Sequence, residues 1–557
     1  MQFRWNHTQG APDYDRETGF GFVTGAVYNA DAGLHIPETN SGFLPLWWYA
    51  GTPISDIRQS EYGLQATAAE ALRTEDAADR RLPVWLRIQV PGEGVYRAEI
   101  TVTGTDGGEV LVFTGRRRLA WRGVLPAGAQ QIVTAYCDVF PIVPRGQADA
   151  VASDAVNIAV VGGALSAVAL AKAPHTRRIW VCGDSTVTDQ TGELPYAPGT
   201  SYAGWGQMLP AYLPEVCITN HAHSGLTTES FLSEGHWAIV KPRLRAGDIC
   251  LFQFGHNDQK LAHLQARGGY TDRLRTYIKE TRTAGAVPVL ITPLARNSWR
   301  DPTHYNDFLA DFADAVLDLG KEEAVPVLDL HAYAMQLIRQ EGLETAKRWF
   351  YPGDYTHTND FGAYRMAGFV AGALGKAVGL PVADAPAWTP APPFAPLTPP
   401  KDCALPAPDT DPFADYDATR PQEVLTRAEA LELAIKALKL FPINVYNDLY
   451  ADIVGHETYA GTVQCAAQND LIPAAWVADG RLYPQRTVTA ADFLAVLMPG
   501  AAGRRPLAAP SPLPDSVPAY ARFAAGQAVA EQLISADSLN DPITRSDAAA
   551  LCRRLHI

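Results

Sequence analysis

The stretch Arg178-Ile-Trp-Val-Cys-Gly-Asp-Ser-Thr-Val187 constrains the fold of this chain more than any other. Its apolar run, Ile179 to Cys182, reads as a short buried strand that breaks at Gly183-Asp184-Ser185. A glycine followed by a small hydroxyl residue at the carboxyl edge of a strand suits a nucleophile, because open parallel sheets bind their ligands there. Gly, Asp and Ser are also common turn residues, so the tripeptide alone favours the plainer reading, a strand ending in a turn.

Three later stretches shift that balance. Asn220-His-Ala-His-Ser-Gly225 follows another short apolar segment, and Leu251-Phe-Gln-Phe-Gly255 opens into His256-Asn257-Asp258. Tyr351-Pro-Gly-Asp354-Tyr-Thr-His357 sets an aspartate three residues before a histidine. A serine hydroxyl is a weak nucleophile that needs a base, and the base needs a partner to fix its tautomer. Ser185, His357 and Asp354 fit those three roles. An oxyanion needs donors, and the Ser185 and Gly225 amides with the Asn257 side chain could supply them.

These blocks resemble, in order, the four blocks of the SGNH (GDSL-type) hydrolase superfamily, over roughly residues 176–378. Gly183-Asp-Ser-Thr-Val187, Asn220-His-Ala-x-Ser-Gly225 and Phe254-Gly-His-Asn-Asp-Gln259 further resemble the rhamnogalacturonan acetylesterase family. That resemblance implies a three-layer α/β fold and a Ser185–His357–Asp354 acyl-enzyme mechanism with no metal or organic cofactor. It also implies an acetylated pectin-type saccharide as substrate, with xylan or mannan oligosaccharides next in line. The sequence departs from many relatives at His223-Ser-Gly-Leu-Thr-Thr-Glu229, where they carry Gly-Gly-Arg-Ser. The departure keeps the oxyanion glycine and bears on substrate choice. Two other classes compete with this reading: a lipase or thioesterase of the same superfamily, and a non-catalytic carbohydrate-binding protein.

Other residues near these blocks invite roles. Trp205, between Gly204 and Gly206, could wall a substrate pocket, and His256 could touch substrate or simply bond its loop. Asp184 and Asp258 suit loop stabilisation. His221 and His223 have no neighbouring carboxylates to complete a metal site, so no metal is expected.

The chain has 557 residues, too many for one core, so several domains are expected. Residues 1–172 read as an all-β sandwich: Pro83–Val90, Gly94–Val102 and Glu109–Phe113 alternate and are punctuated by Gly and Asp. Together with Phe20-Gly-Phe-Val23 they resemble a galactose-binding-like module. Within it Trp47 and Trp48, beside Tyr49, are the candidates to reach a neighbouring active site. Residues 173–382 alternate strands (Ile179–Cys182, Ile249–Phe254, Val287–Thr292, Val325–Asp329) with helical patterns (Gly269–Ala284, Tyr305–Leu319). That alternation implies a mainly parallel sheet covered by helices.

Residues 383–419 form a proline-rich linker, and 420–557 a helical module with an internal repeat. Leu425-Thr-Arg-Ala-Glu429, Val488-Thr-Ala-Ala-Asp492 and Ile543-Thr-Arg-Ser-Asp547 each open a helix, the first with a Thr426/Glu429 capping box. The order resembles degenerate S-layer homology repeats, a structural or oligomerising module. Arg427 and Arg545 would be its contacts to cell-wall polysaccharide, or otherwise surface salt bridges. Homo-oligomers through the terminal modules are a further expectation.

A formal charge of −14 argues against a nucleic-acid partner. Seven cysteines without a C-x-x-C pair suit reduced thiols. The amino terminus lacks the apolar core of a signal peptide, and no run reaches the length of a membrane span. The expected location is therefore the cytoplasm, or the cell surface if a leader has been removed.

Overall fold

A computed structural model describes residues 2–23, 27–29, 33–35, 43–44, 55–68, 82–143, 149–190, 192, 196, 198–301, 304–390, 411–438, 440, 450–453, 457–503 and 505–555. The chain divides into two compact units, residues 1–255 with 271–404, and 256–270 with 405–557.

The first unit opens with an all-β region of a small three-stranded sheet, Val27–Asn29, Gly33–His35, Phe43–Leu44, and two large antiparallel sheets. One runs in the order Gln130–Val139, Gly94–Thr103, Ala164–Lys172, Gly63–Ala68, Ser55–Ser60, with Gln2–Asn6 also paired to Ala164–Lys172. The other runs Arg118–Val124, Glu109–Thr114, Ala155–Val161, Val84–Gln89, Phe20–Phe22. Strand periodicity explains how this second sheet is used. Val110, Val112, Ile158 and Val160 point into the core shared by the two sheets. The alternating Leu111, Phe113, Ala159 and Val161 point the other way, into the core of the α/β region. A sheet buried on both faces reads as an apolar run, as these strands do.

The α/β region carries a five-stranded sheet in the order Cys217–Asn220, Arg178–Gly183, Ile249–Gln253, Val287–Ile291, Val327–Leu328. Every pairing in it is parallel. Helices Thr271–Thr283, Ala310–Glu322, Leu330–Ala346 and Asp360–Val378 lie between or after the strands. Tyr305 pairs in a short hairpin with Trp299, so the predicted helix starts five residues later than the pattern suggests. The amino end of the sheet is closed by a buried ion pair, Arg178 to Asp248 at 2.5 Å, and the Trp180 indole donates to the same carboxylate at 3.1 Å.

The second unit has threefold internal regularity. Thr426, Thr489 and Thr544 each precede a helix (Arg427–Ala437, Ala490–Ala502, Arg545–Leu555) and each bonds the residue three positions on. The backbone closes a ring just ahead of these helices. Leu425 donates to Ile543, Ile543 to Val488, and Val488 to Leu425. The next layer repeats it, with Arg427 donating to Arg486, Ala490 to Asp541 and Arg545 to Glu423. The ring explains why Ala490 can replace arginine at the second position: the backbone, not that side chain, makes the repeating bond.

Arg427 and Arg545 are both buried, so neither is the surface salt bridge that was one of the two expectations. Arg427 is 5% exposed, donates at 2.6 Å to the carbonyls of Trp476 and Leu482, and stacks over the Trp476 ring. Arg545 is 8% exposed, pairs with Glu429, donates to the Thr419 carbonyl and lies over Tyr416. Both guanidiniums are fastened inside the module. Much of the predicted linker, including Cys403, lies outside the described residues. The six described cysteines are buried, and among the described residues none forms a disulfide. Among the described residues no helix is long and apolar enough to cross a membrane.

Candidate active site

The site grows from the strand Arg178–Gly183. Past Gly183 the chain turns tightly: the Asp184 carbonyl accepts from Val187 and Thr188 at 3.2 Å, and its carboxylate from the Thr186 amide at 2.9 Å. Asp184 is fully buried and shapes the loop, as turn chemistry suggested. Ser185, 8% exposed, stands at the tip of this turn.

Its neighbour comes from the far end of the unit. In the loop before helix Asp360–Val378, Tyr351 donates its amide to the His357 carbonyl and Asp354 donates to the Tyr351 carbonyl, both at 2.9 Å. One Asp354 oxygen accepts the amides of Thr356 and His357 at 2.7 and 3.0 Å. Its other oxygen lies 2.7 Å from His357 Nδ1, and His357 Nε2 lies 2.8 Å from Ser185 Oγ. The carboxylate thus fixes the loop with one oxygen and the ring with the other. With the Nδ1 proton on Asp354, Nε2 faces the serine as an acceptor. Burial alone would raise the Asp354 carboxyl, but the His357 ring and the two amides outweigh it and lower it to about 2. Tyr351 stacks on Tyr202 with ring centres 3.6 Å apart, and Tyr202 meets His357 edge-on at 5.7 Å.

The loop after Cys217–Asn220 docks beside the nucleophile turn, with the His223 amide donating to the Gly183 carbonyl at 3.1 Å. Gly225 lies in this loop at φ +88°, a left-handed backbone that strains any other L-residue. His221 is 3% exposed, bonds Thr219 and packs on Trp180, and burial lowers it to about 3. Asn257 and His256 belong to the segment that groups with the second unit. There Asn257 accepts from Lys260 Nζ at 2.9 Å through its oxygen. His256 is 2% exposed, and its carbonyl accepts from Gln259.

Trp205 is a core residue, 1% exposed, whose indole donates to Gln253 at 2.7 Å, so it does not wall an open pocket. The flanking glycines serve close approach: a Cβ at Gly204 would come within 2.4 Å of the Thr188 carbonyl oxygen. That proximity lets the Trp205 amide bond Thr186 at 3.1 Å. Trp47 and Trp48 lie outside the described residues.

Sequence reasoning missed two elements. Arg296 is half-buried near Asp184 and Asp354, and desolvation lowers its guanidinium to about 10 against their pull. Its position a few residues past the strand Val287–Ile291, at the sheet's carboxyl edge, was the available signal. A cavity of about 970 Å³ also adjoins the loop, lined by Asp354, Tyr351, Tyr355, Lys347, Arg348 and Trp388 among others, but not by Ser185 or His357.

Residues 181–365 match the model of the GDSL-like Lipase/Acylhydrolase family. The rhamnogalacturonan acetylesterase RhgT of Bacillus subtilis (strain 168) is 33% identical over 222 residues, covering 37% of this chain and 93% of that protein. The chain belongs to the GDSL-like lipase/acylhydrolase family. A probable rhamnogalacturonan acetylesterase, YesY, from the same organism is also 33% identical, over 37% of this chain and 95% of its own length. The uncharacterized esterase YxiM, again from that organism, is 25% identical across 64% of this chain and 82% of that protein. The GDSL-like match therefore spans the parallel sheet and every loop that carries Ser185, Gly225, Asp354 and His357.

Proposed function

We propose that this protein is a carbohydrate O-acetylesterase acting on plant cell-wall saccharides of the rhamnogalacturonan type. The observation that carries the proposal is the unbroken relay Ser185 Oγ–His357 Nε2–His357 Nδ1–Asp354, with both links under 3 Å. Ser185 Oγ attacks the acetyl carbonyl while His357 Nε2 takes its proton, and Asp354 stabilises the imidazolium. The Ser185 and Gly225 amides hold the oxyanion. Collapse releases the sugar hydroxyl, protonated by His357, and leaves acetyl-Ser185. Water, deprotonated by His357, then attacks, and acetate leaves as Ser185 recovers its proton. The acetyl preference and the saccharide rest on the relatives, two of which are named rhamnogalacturonan acetylesterases at 33% identity.

The test is acetate release from acetylated rhamnogalacturonan, xylan and mannan oligosaccharides side by side, with Ser185→Ala as control. Release from rhamnogalacturonan, abolished in a folded Ser185→Ala protein, is the expected result. Cleavage of aryl acetates alone would keep the esterase and discard the polysaccharide. Full activity in Ser185→Ala would remove the mechanism.

A further inference from the structure

The turn between strands Glu109–Thr114 and Arg118–Val124 of the all-β region carries three consecutive arginines, and all three are buried in the α/β region. A basic run on a hairpin tip ordinarily faces water. Here Arg117 is fully buried, Arg118 is 6% exposed, and the Arg116 side chain is 12% exposed. Arg117 also adopts φ +58°, a left-handed conformation costing a non-glycine residue about 1–2 kcal/mol. Strain of this kind persists only where the surroundings over-determine it.

Between them the three arginines reach the segment after the nucleophile, the strand ahead of the Gly225 loop, and the start of the helix that follows His357. Arg116 lies 3.2 Å from Asp189, four residues past the nucleophile, and donates at 2.5 Å to the Asn220 carbonyl. Arg118 also faces Asp189 at 3.2 Å, pairs with Asp138 at 2.5 Å, and donates to the Ile218 carbonyl ahead of the Gly225 loop. Arg117 donates at 2.7 Å to Asp360, three residues past His357, at 3.2 Å to the Gln190 carbonyl, and to the Tyr202 carbonyl. Tyr202 in turn packs against Tyr351 and His357. Further bonds lock the join. Tyr196 donates to Asp360 at 2.8 Å, Gln190 Nε2 to the Ser185 carbonyl at 2.8 Å, and Asn220 to Asp189 at 2.9 Å. The cations Arg116, Arg117 and Arg118 meet the anions Asp138, Asp189 and Asp360, so the buried cluster balances in charge.

We infer that this arginine hairpin is a positioning device: the β region sets the mutual distance of the nucleophile turn, the Gly225 loop and the His357 loop. No arginine touches a reacting atom. Each acts through a loop, and Arg117 spans two of them with one guanidinium. A stability element would need only to be paired. This one spends its donors on carbonyls of the loops that surround Ser185 and His357. Errors of about 1 Å in such distances can cost about 100-fold in rate.

The experiment uses the full chain. Arg117→Met strands Asp360 as a buried charge, so the deciding variant is Arg117→Met/Asp360→Leu, which removes both charges and keeps the volume; such replacements are often tolerated. Two readouts are taken. Hydrogen exchange should rise about tenfold in peptides covering 185–190 and 351–358, while strands Gly94–Thr103 and Gln130–Val139 keep their protection. On an aryl acetate, kcat should fall about 10- to 100-fold with KM within about twofold. A folded double variant with unchanged exchange in both loops and wild-type kcat overturns the inference. So does a loss of kcat that merely tracks the unfolded fraction. The kcat readout rests on the proposed serine mechanism, whereas the exchange readout does not. Wild-type protein that cleaves no ester would sink that mechanism and leave exchange to decide the hairpin.

Discussion

The two ends of the parallel sheet solve opposite problems with the same chemistry. At the amino end, Asp248 is held by Arg178, the Trp180 indole and the Arg245 amide, and both ion-pair side chains are nearly inaccessible. At the carboxyl end, Asp354 is likewise held by a ring nitrogen and two amides, but its side chain stays 21% exposed and that of His357 31%. A carboxylate paired inside the sheet only stabilises. A carboxylate paired at the open edge, through a histidine that faces a serine, can move a proton. What separates the structural ion pair from the proposed catalytic one is access together with a partner able to exchange a proton.

The largest expected effect tests the open end. Asp354→Asn keeps the shape and, with its oxygen on the Thr356 and His357 amides, the loop, but presents an N–H to His357 Nδ1, which favours the wrong tautomer. Ester hydrolysis should fall by about 10⁴ in kcat in protein that the melt shows is still folded at the assay temperature. Steady-state kinetics beside a thermal melt would check it, and a fall below about tenfold would break the contrast between the ends.

At the closed end the sign reverses. Arg178→Met leaves Asp248 buried with only neutral donors, a change that costs about 3–5 kcal/mol of stability. Activity of the folded fraction should remain within about twofold of wild type. Urea titration followed by kcat per folded molecule reads both quantities. A stable Arg178→Met protein with lost activity would show that the two ends are coupled.

The open end also predicts a pH signature. The Asp354 carboxyl lies below its ordinary 3.8, at about 2 in the folded chain, so its stabilising contribution is complete above 3.8. It is lost as pH falls through about 2. The stability difference between wild type and Asp354→Asn should therefore be flat above pH 4 and shrink between about pH 4 and pH 2. A difference that stays constant through that window would mean the carboxylate is not held as the geometry implies.

Much of this was legible in the sequence, and unevenly so. Short apolar runs ending in Gly-Asp-Ser and Gly-His-Asn revealed the central strands, because buried parallel strands leave that mark directly. The Asp354–His357 spacing gave a local pair, and the capping threonines gave the helix starts of the second unit. Arginines were read worst. Arg427 and Arg545 carry no mark of burial because their partners (backbone carbonyls, aromatic rings and, for Arg545, the Glu429 carboxylate) come from distant parts of the chain. Arg117 pairs with Asp360 across 243 positions, a separation at which no periodicity helps. Trp205 failed for a related reason: whether an indole lines a cleft or plugs a core depends on Gln253, which only the fold brings near.

The smallest effect sharpens the contrast most finely. A Cβ at Gly225 would meet nothing within 4 Å, so the glycine is not there for space. Its φ of +88° is the constraint, and an alanine there costs about 1–2 kcal/mol through strain rather than collision. A rigid loop would absorb that as lost stability with kcat unchanged. A loop whose amide must face an oxyanion would relieve the strain by rotating the peptide, and kcat would fall while KM held. Gly225→Ala should follow the second course, losing about 10-fold or more in kcat for less than about 1 kcal/mol of stability, because nothing packs over position 225 to resist the rotation. The opposite partition would place this loop with the closed end of the sheet.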